Sequence, residues 1–244
     1  MVGLVDRYCR DAEARGVTGR PLLWRFAQRR IRQSALLFLA IDMAARREHG
    51  AAPRAEDLEV AFGEAGQPAV VVHLPASRTV RFRGRIDRLD RSPDGRRVVV
   101  YDYKTGDPRY GPSLANDPVD SGQLLQLPVY AHAALALTGA TEAAAYYWYT
   151  RDDMPPGEER GFTLDARVQD RFVEAVGAIV GGVDAGCFPA VPGDRDFNPR
   201  AFRETFTHCF ACPYDRLCPT DRATAWERKL DDPALGTYHE LTDE

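Results

Sequence analysis

The sequence predicts an α/β fold: a mixed β-sheet flanked by helices and followed by a cysteine-rich segment. Three observations predict it. β-rich runs flank Ser92-Pro93-Asp94-Gly95, where Asp-Gly after a proline marks a hairpin turn. Strand-like and helix-like runs share the stretch from Ala55 to Val183. Three of the five cysteines crowd into Cys209 to Cys218. With 244 residues, 44% hydrophobic and 28% charged, the chain can bury one sizeable core. We expect an N-terminal helical region over 1–55, the core over 56–185, and a cysteine-rich segment with a tail over 186–244.

Taken in order, Val2 to Arg15 reads as a helix, broken at Gly16-Val17-Thr18-Gly19. From Pro21 to Glu48 apolar residues recur at roughly helical spacing without a breaker, which predicts one long or bent helix with Arg25, Arg29 and Arg32 along one face. Ala55 to Gly63 is strand-like, with Glu59 facing opposite to Leu58 and Val60. Pro68 to Leu74 and Thr79 to Asp90 follow as strands, the first apolar enough to be central. A polar loop from Gly106 to Asp120 leads to a helix running to Thr138. Pro128 marks either a later start to that helix or a kink. Gln123, Gln126 and Tyr130 fall at i, i+3 and i+7, one helical face. Glu142 to Tyr149 is a strand whose aromatic residues alternate between its two sides, and a loop from Arg151 to Gly161 precedes an amphipathic helix from Ala166 to Val183. From Thr220 a helix and a frayed polar tail are expected.

Charge and cysteine usage narrow the classes. The net charge of −4 lacks the basic footprint of a free-standing duplex binder. Local arginine runs at Arg25 to Arg32 and Arg81 to Arg88 can still line a groove. No apolar run reaches the ~18 residues of a membrane span, the N-terminus lacks signal-peptide order, and an odd cysteine count argues against a disulfide framework. A cytoplasmic protein with no membrane partner is expected.

The hairpin carries the chemistry. An even loop of two or four residues places Asp87 opposite Val100 or Asp102, and strand alternation puts Asp87, Asp102 and Lys104 on one face, with Tyr101 and Tyr103 turned into packing. The two carboxylates then lie within about 8 Å, close enough to hold one Mg²⁺ or Mn²⁺. Such a cation polarises a phosphoryl oxygen and acidifies a bound water. Lys104 can orient that water and offset developing charge. Lys104 and Lys229 are the two lysines in a chain that otherwise uses arginine for its cations. A compact, tunable ammonium is thus a marked choice beside Asp102.

Gly84-Arg85-Ile86-Asp87, Asp102-Tyr103-Lys104-Thr105-Gly106 and Gln126-Leu127-Pro128-Val129-Tyr130 together resemble the ordered motifs of the PD-(D/E)xK nuclease superfamily in its RecB-like, exonuclease V-like branch. The resemblance spans roughly 56 to 220. It implies a restriction-endonuclease-like core, metal at Asp87 and Asp102, catalysis by Lys104, and groove and DNA contacts by Gln126 and Tyr130. Glu59 is a second-rank candidate at the metal. The resemblance further implies a DNA exonuclease domain of a helicase-nuclease acting in repair or recombination, on single-stranded DNA, and cut from the C-terminal part of a larger protein. A catalytically silent DNA-binding or scaffolding module of such a complex is the alternative.

The Cys209-x2-Cys212-x5-Cys218 spacing suits soft metal ligation, by zinc or an iron-sulfur cluster. Similarity to RecB-like nucleases implies a 4Fe-4S site completed by a distant cysteine. Cys9, Cys187 and His208 are the candidates for the fourth ligand, and Cys9 lacks the family's Cys-Pro context.

Overall fold

The computed structural model describes residues 2–64, 66–104, 112–149, 159–198 and 202–242. They divide into two compact units, Met1–Val173 and Glu174–Glu244.

The first unit opens with α1 (Val2–Ala14) and α2 (Pro21–His49). Pro21 sits in the first turn of α2, where its missing N–H costs nothing. Gly50 ends the helix at φ 61°, a left-handed conformation that lets its N–H reach Arg46 O. Five strands follow in one sheet: β1 (Ala52–Phe62), β4 (Gly84–Arg91), β5 (Arg97–Lys104), β6 (Glu142–Tyr149) and β7 (Glu159–Thr163), in that spatial order. β5 and β6 run parallel and the other neighbours antiparallel. α3 (Gln126–Thr138) connects the parallel pair and packs on both of its strands.

Both faces of the sheet centre are covered, so Val98, Val99, Val100 and Tyr101 are all fully buried and their run is continuously apolar. On the α2 face, Val99, Tyr101, Ala144 and Trp148 pack with Ala45 and Ala51, and Phe38, Ile41, Tyr103 and Tyr146 close around them. Phe38 stacks on Trp148 at 5.4 Å. The strand aromatics fill core, as large apolar rings most often do.

Three elements depart from the sequence expectation. The stretch 68–74 is not central: β2 (Val70–Leu74) pairs only with β3 (Arg78–Phe82), as a separate ribbon. Its strict alternation of buried and exposed residues suits a ribbon covered on one side. The expected strand from Thr79 is interrupted at Arg83, between β3 and β4. α3 starts at Gln126, the later start that is one of the two readings of Pro128, so Pro128 falls in the first turn where no helical N–H is needed, while Gln123 lies outside the helix, off the face expected for it. Much of the expected 106–120 and 151–161 loops lies outside the described residues.

The division between the units falls within α4 (Ala166–Asp184). The second unit carries the hairpin β8 (Arg195–Asn198) and β9 (Arg203–Phe206), then α5 (Arg222–Glu227) and α6 (Gly236–Thr242). The polar C-terminal stretch is thus two short helices with Leu235 and Leu241 buried and Trp226 edge-on to Tyr238. Among the described residues no helix is long and apolar enough to cross a membrane.

Candidate active site

The turn sets the register. Ser92 N–H bonds Arg97 O, leaving the four-residue loop Pro93–Arg96. Ser92 Oγ and Arg96 N–H both donate to Asp94 Oδ1, locking it. The ladder then pairs Arg91 with Val98 down to Arg88 with Tyr101. One step further the same register faces Asp87 with Asp102, but there the strands part. Tyr103 N–H donates instead to Asp87 Oδ2 at 3.0 Å, so the Asp87 carboxylate substitutes for a ladder carbonyl at the opening of the sheet.

Asp102 is 4% exposed. Its Oδ1 accepts from Gln126 Nε2 at 2.8 Å. Its Oδ2 lies 2.5 Å from Lys104 Nζ as an ion pair, yet makes no well-directed hydrogen bond among the described residues. Lys104 Nζ donates to Gln126 Oε1 at 3.0 Å and sits over the Tyr147 ring at 4.8 Å. Gln126 Nε2 also donates to Tyr130 Oη at 3.0 Å. With a cation on one side and a carboxylate on the other, the amide has one sensible orientation, oxygen to lysine and nitrogen to aspartate. Gln126 is therefore the hub joining Asp102, Lys104 and Tyr130.

Electrostatics match this geometry. Burial pushes the Asp102 carboxyl above the usual range, Lys104 pulls it back, and Asp87 adds to the rise. The Tyr130 phenol is raised by burial, against the Gln126 bond, and further by the Asp102, Asp87 and Glu59 carboxylates. Glu59 sits at φ 54° just after a register shift in β1, which breaks the expected alternation and leaves both Leu58 and Glu59 exposed. Its backbone carbonyl accepts from Arg85 Nη1.

Behind the site lies a cluster that the sequence reading passed over. Arg88 is 2% exposed and forks onto Asp90 with two 2.6 Å bonds. It also donates to Asp42 of α2 and to Tyr103 Oη at 3.1 Å. Its guanidinium lies over the Tyr101 and Trp148 rings. Burial opposes its charge, but Asp90 and Tyr103 outweigh that and raise its pKa. The available signal was Asp87, Arg88 and Asp90 interleaved with the apolar Ile86 and Leu89 in one short strand.

The residues present fit a hard divalent cation at Asp87 and Asp102. A buried Asp102 oxygen lacks a directed hydrogen bond, and Mg²⁺ needs only one or two carboxylates beside water and phosphate. Among the described residues no three His, Cys, Asp or Glu side chains gather as a metal group. Cys209, Cys212, Cys218 and His208 line one cavity without being drawn together as a ligand set. Cys187 lines a different cavity and donates to Ala234 O. Cys9 is buried in α1.

The profile of the PD-(D/E)XK nuclease superfamily matches residues 3–219. Among solved structures, the crystal structure of SSO0001 is similar at 15% identity and a TM-score of 0.36, covering 88% of this chain and 80% of that one, a likeness too distant to argue from. No curated protein matches the chain.

Proposed function

The chain belongs to the PD-(D/E)XK nuclease superfamily, and from that membership, which implies nuclease activity on a restriction-endonuclease-like fold, we propose that it is a Mg²⁺- or Mn²⁺-dependent deoxyribonuclease. The observation that carries the proposal is the connected set Asp87, Asp102, Lys104, Gln126 and Tyr130, drawn from two strands and one helix. Asp87 and Asp102 would hold the cation, which when bound polarises the scissile phosphate and acidifies a water.

The chain's own groups supply the rest. Lys104 places an ammonium beside the reacting phosphate, where it orients a water and offsets charge that grows in the transition state. Gln126 holds Lys104 and Asp102 in mutual register, and Tyr130 extends the polar wall. The RecB-like assignment, exonucleolytic cutting of single-stranded DNA in repair or recombination, a helicase domain or subunit as partner and a cytoplasmic location rest on the resemblance of the ordered motifs. Zinc or iron-sulfur ligation by Cys209, Cys212 and Cys218 is supported by their spacing and their shared cavity; metal analysis of anaerobically purified protein tests it.

The deciding experiment assays Asp102→Asn and Lys104→Ala on single-stranded DNA with Mg²⁺ or Mn²⁺, with circular dichroism to confirm folding. Each variant is expected to lose at least about two orders of magnitude in cleavage. Folded variants that cut at the wild-type rate defeat the assignment, and a wild-type chain that binds DNA without cutting is the silent module instead.

A further inference from the structure

Asp87 is preceded in the chain by Arg81 in β3, Arg83 at the joint and Arg85 within β4, and exposure alternates from Arg81 to Ile86. Arg81, Arg83 and Arg85 are exposed, whereas Phe82, Gly84 and Ile86 are partly or fully covered. Alternate residues share a side of a strand, so Arg85 and Asp87 stand on one side of β4, and the alternation of exposure continues the row through Arg83 to Arg81. Within β4 the Cα atoms of Arg85 and Asp87 stand about 7 Å apart at 3.2–3.4 Å per residue, and Arg83 and Arg81 carry the row on across the joint into β3. This step of nearly 7 Å is close to the separation of successive phosphates in an extended polynucleotide strand.

The row is held in shape yet little neutralised. Gly63, at φ +71°, is so close to the chain at Arg83 that an added Cβ would lie 2.7 Å from Arg83 Cβ. This close approach pins the joint between β3 and β4. Arg85 donates to the neutral carbonyl of Glu59 and keeps its charge. Arg83, with its side chain 77% exposed, has one carboxylate at 3.9 Å, Glu64, also exposed, and such a surface pair contributes little. Arg81 has no ion pair among the described residues, and opposite it in the ribbon stands exposed Val71, with His73 facing Thr79 beyond. In a chain of net charge −4, a single file of three open guanidiniums ending at the candidate metal carboxylates is a local reversal of sign.

We propose that Arg85, Arg83 and Arg81 form a phosphate track that seats the single strand on one side of the scissile bond, with the outer face of the β2–β3 ribbon beneath its bases. The inference rests on the nuclease reading and deepens it by naming the residues that seat the strand. One row of cations follows one backbone and leaves the second strand of a duplex without a counterpart. Phosphate contacts of this kind position the strand without reading its sequence.

The test is the salt dependence of binding, read by anisotropy of a fluorescent oligothymidylate long enough to span the row, with EDTA present so that no strand is cut. Arg81→Gln combined with Arg83→Gln is compared with Arg7→Gln combined with Arg10→Gln, an equal charge change on α1. The track predicts that the slope of log K against log salt falls by about 1.4 for the first pair, from roughly 0.7 per phosphate contact, and by less than half of that for the second. Equal effects of the two pairs, or no binding by the wild type, overturn the track. A duplex of the same length that binds as tightly, with the same dependence on Arg81 and Arg83, overturns the single-strand assignment. A wild-type chain whose binding depends on the track but which cuts nothing with Mn²⁺ leaves the track standing and removes the nuclease reading, so the two failures are distinguishable.

Discussion

Arg88 donates to Tyr103 Oη at 3.1 Å on one face of the sheet, while the N–H of the same tyrosine holds Asp87 Oδ2 at 3.0 Å in the opening between the strands. Arg88 and Asp87 are neighbours in β4, and Tyr103 separates Asp102 from Lys104 in β5. The ladder between the strands ends at Arg88 and Tyr101. Beyond it, this double stitch keeps the two carboxylates opposed where backbone pairing no longer does so.

Tyr103→Phe removes one half of the stitch and leaves the backbone N–H. The variant is expected to fold, to lose at most about 1.5–3 kcal/mol, the range for a hydrogen bond to a charged group, and to bind Mn²⁺ on the order of tenfold more weakly, as groups that support metal ligands commonly do. Isothermal titration against Mn²⁺, with a urea curve for stability, checks both. Wild-type metal affinity would show that Tyr103 only packs.

Arg88→Met strands the Asp90 carboxylate in the interior, leaves buried Asp42 to its ion pair with Arg46, and is expected to cost about 3–5 kcal/mol in urea unfolding. Replacing Asp42, Arg88 and Asp90 together by apolar residues of similar volume should recover most of that loss. The cost lies in the uncompensated charge, so a triple variant as unstable as the single one contradicts the account.

Asp102 trades stability for function. Its folded pKa is raised by burial, so the folded state holds the proton more tightly than the unfolded chain, and metal-free stability falls as pH rises through that raised value. Asp102→Asn is expected to remove this slope and to raise the metal-free melting temperature near neutral pH by about 2–4 °C, the equivalent of roughly 1 kcal/mol. It should also abolish the upward shift that Mg²⁺ or Mn²⁺ gives the wild type. Scanning calorimetry with and without metal reads both arms.

Gln126→Glu sets an acceptor against Asp102 Oδ1, where the amide nitrogen now donates. We expect at least a tenfold loss in kcat/KM, or about 1.4 kcal/mol of transition-state stabilisation. Tyr130→Phe, which breaks a single bond of the hub, should be milder. The reverse order would move the centre of the site from Gln126 to Tyr130.

His132 stacks on Phe172 at 5.6 Å, and burial lowers its pKa from the ordinary 6.5. The folded protein therefore refuses a proton that the unfolded chain accepts. The penalty is absent above about pH 6.5, grows as pH falls through that value and levels off below the lowered folded pKa. His132→Phe should flatten the loss of stability across this window in urea titrations at a series of pH values.

The sequence by itself determined the hairpin and the face shared by Asp87 and Asp102, because turn chemistry and strand alternation are local rules, but it left the loop at two or four residues; the four-residue loop of the folded chain then set Asp102 rather than Val100 opposite Asp87. The same rules put Lys104 beside Asp102 and turned Tyr101 and Tyr103 away, and helical periodicity placed Gln126 and Tyr130 on one face. Tertiary structure decided what no local rule reaches. It made β2 and β3 a separate ribbon, started α3 at Gln126, and gave Glu59 a left-handed backbone at a register shift. It also joined Asp42, far off in α2, to Arg88 and Asp90 in β4. Burial is a property of what covers a strand, and only the covering of β4 by α2 turns a charged pair from a solvated surface feature into an internal clamp behind the carboxylates.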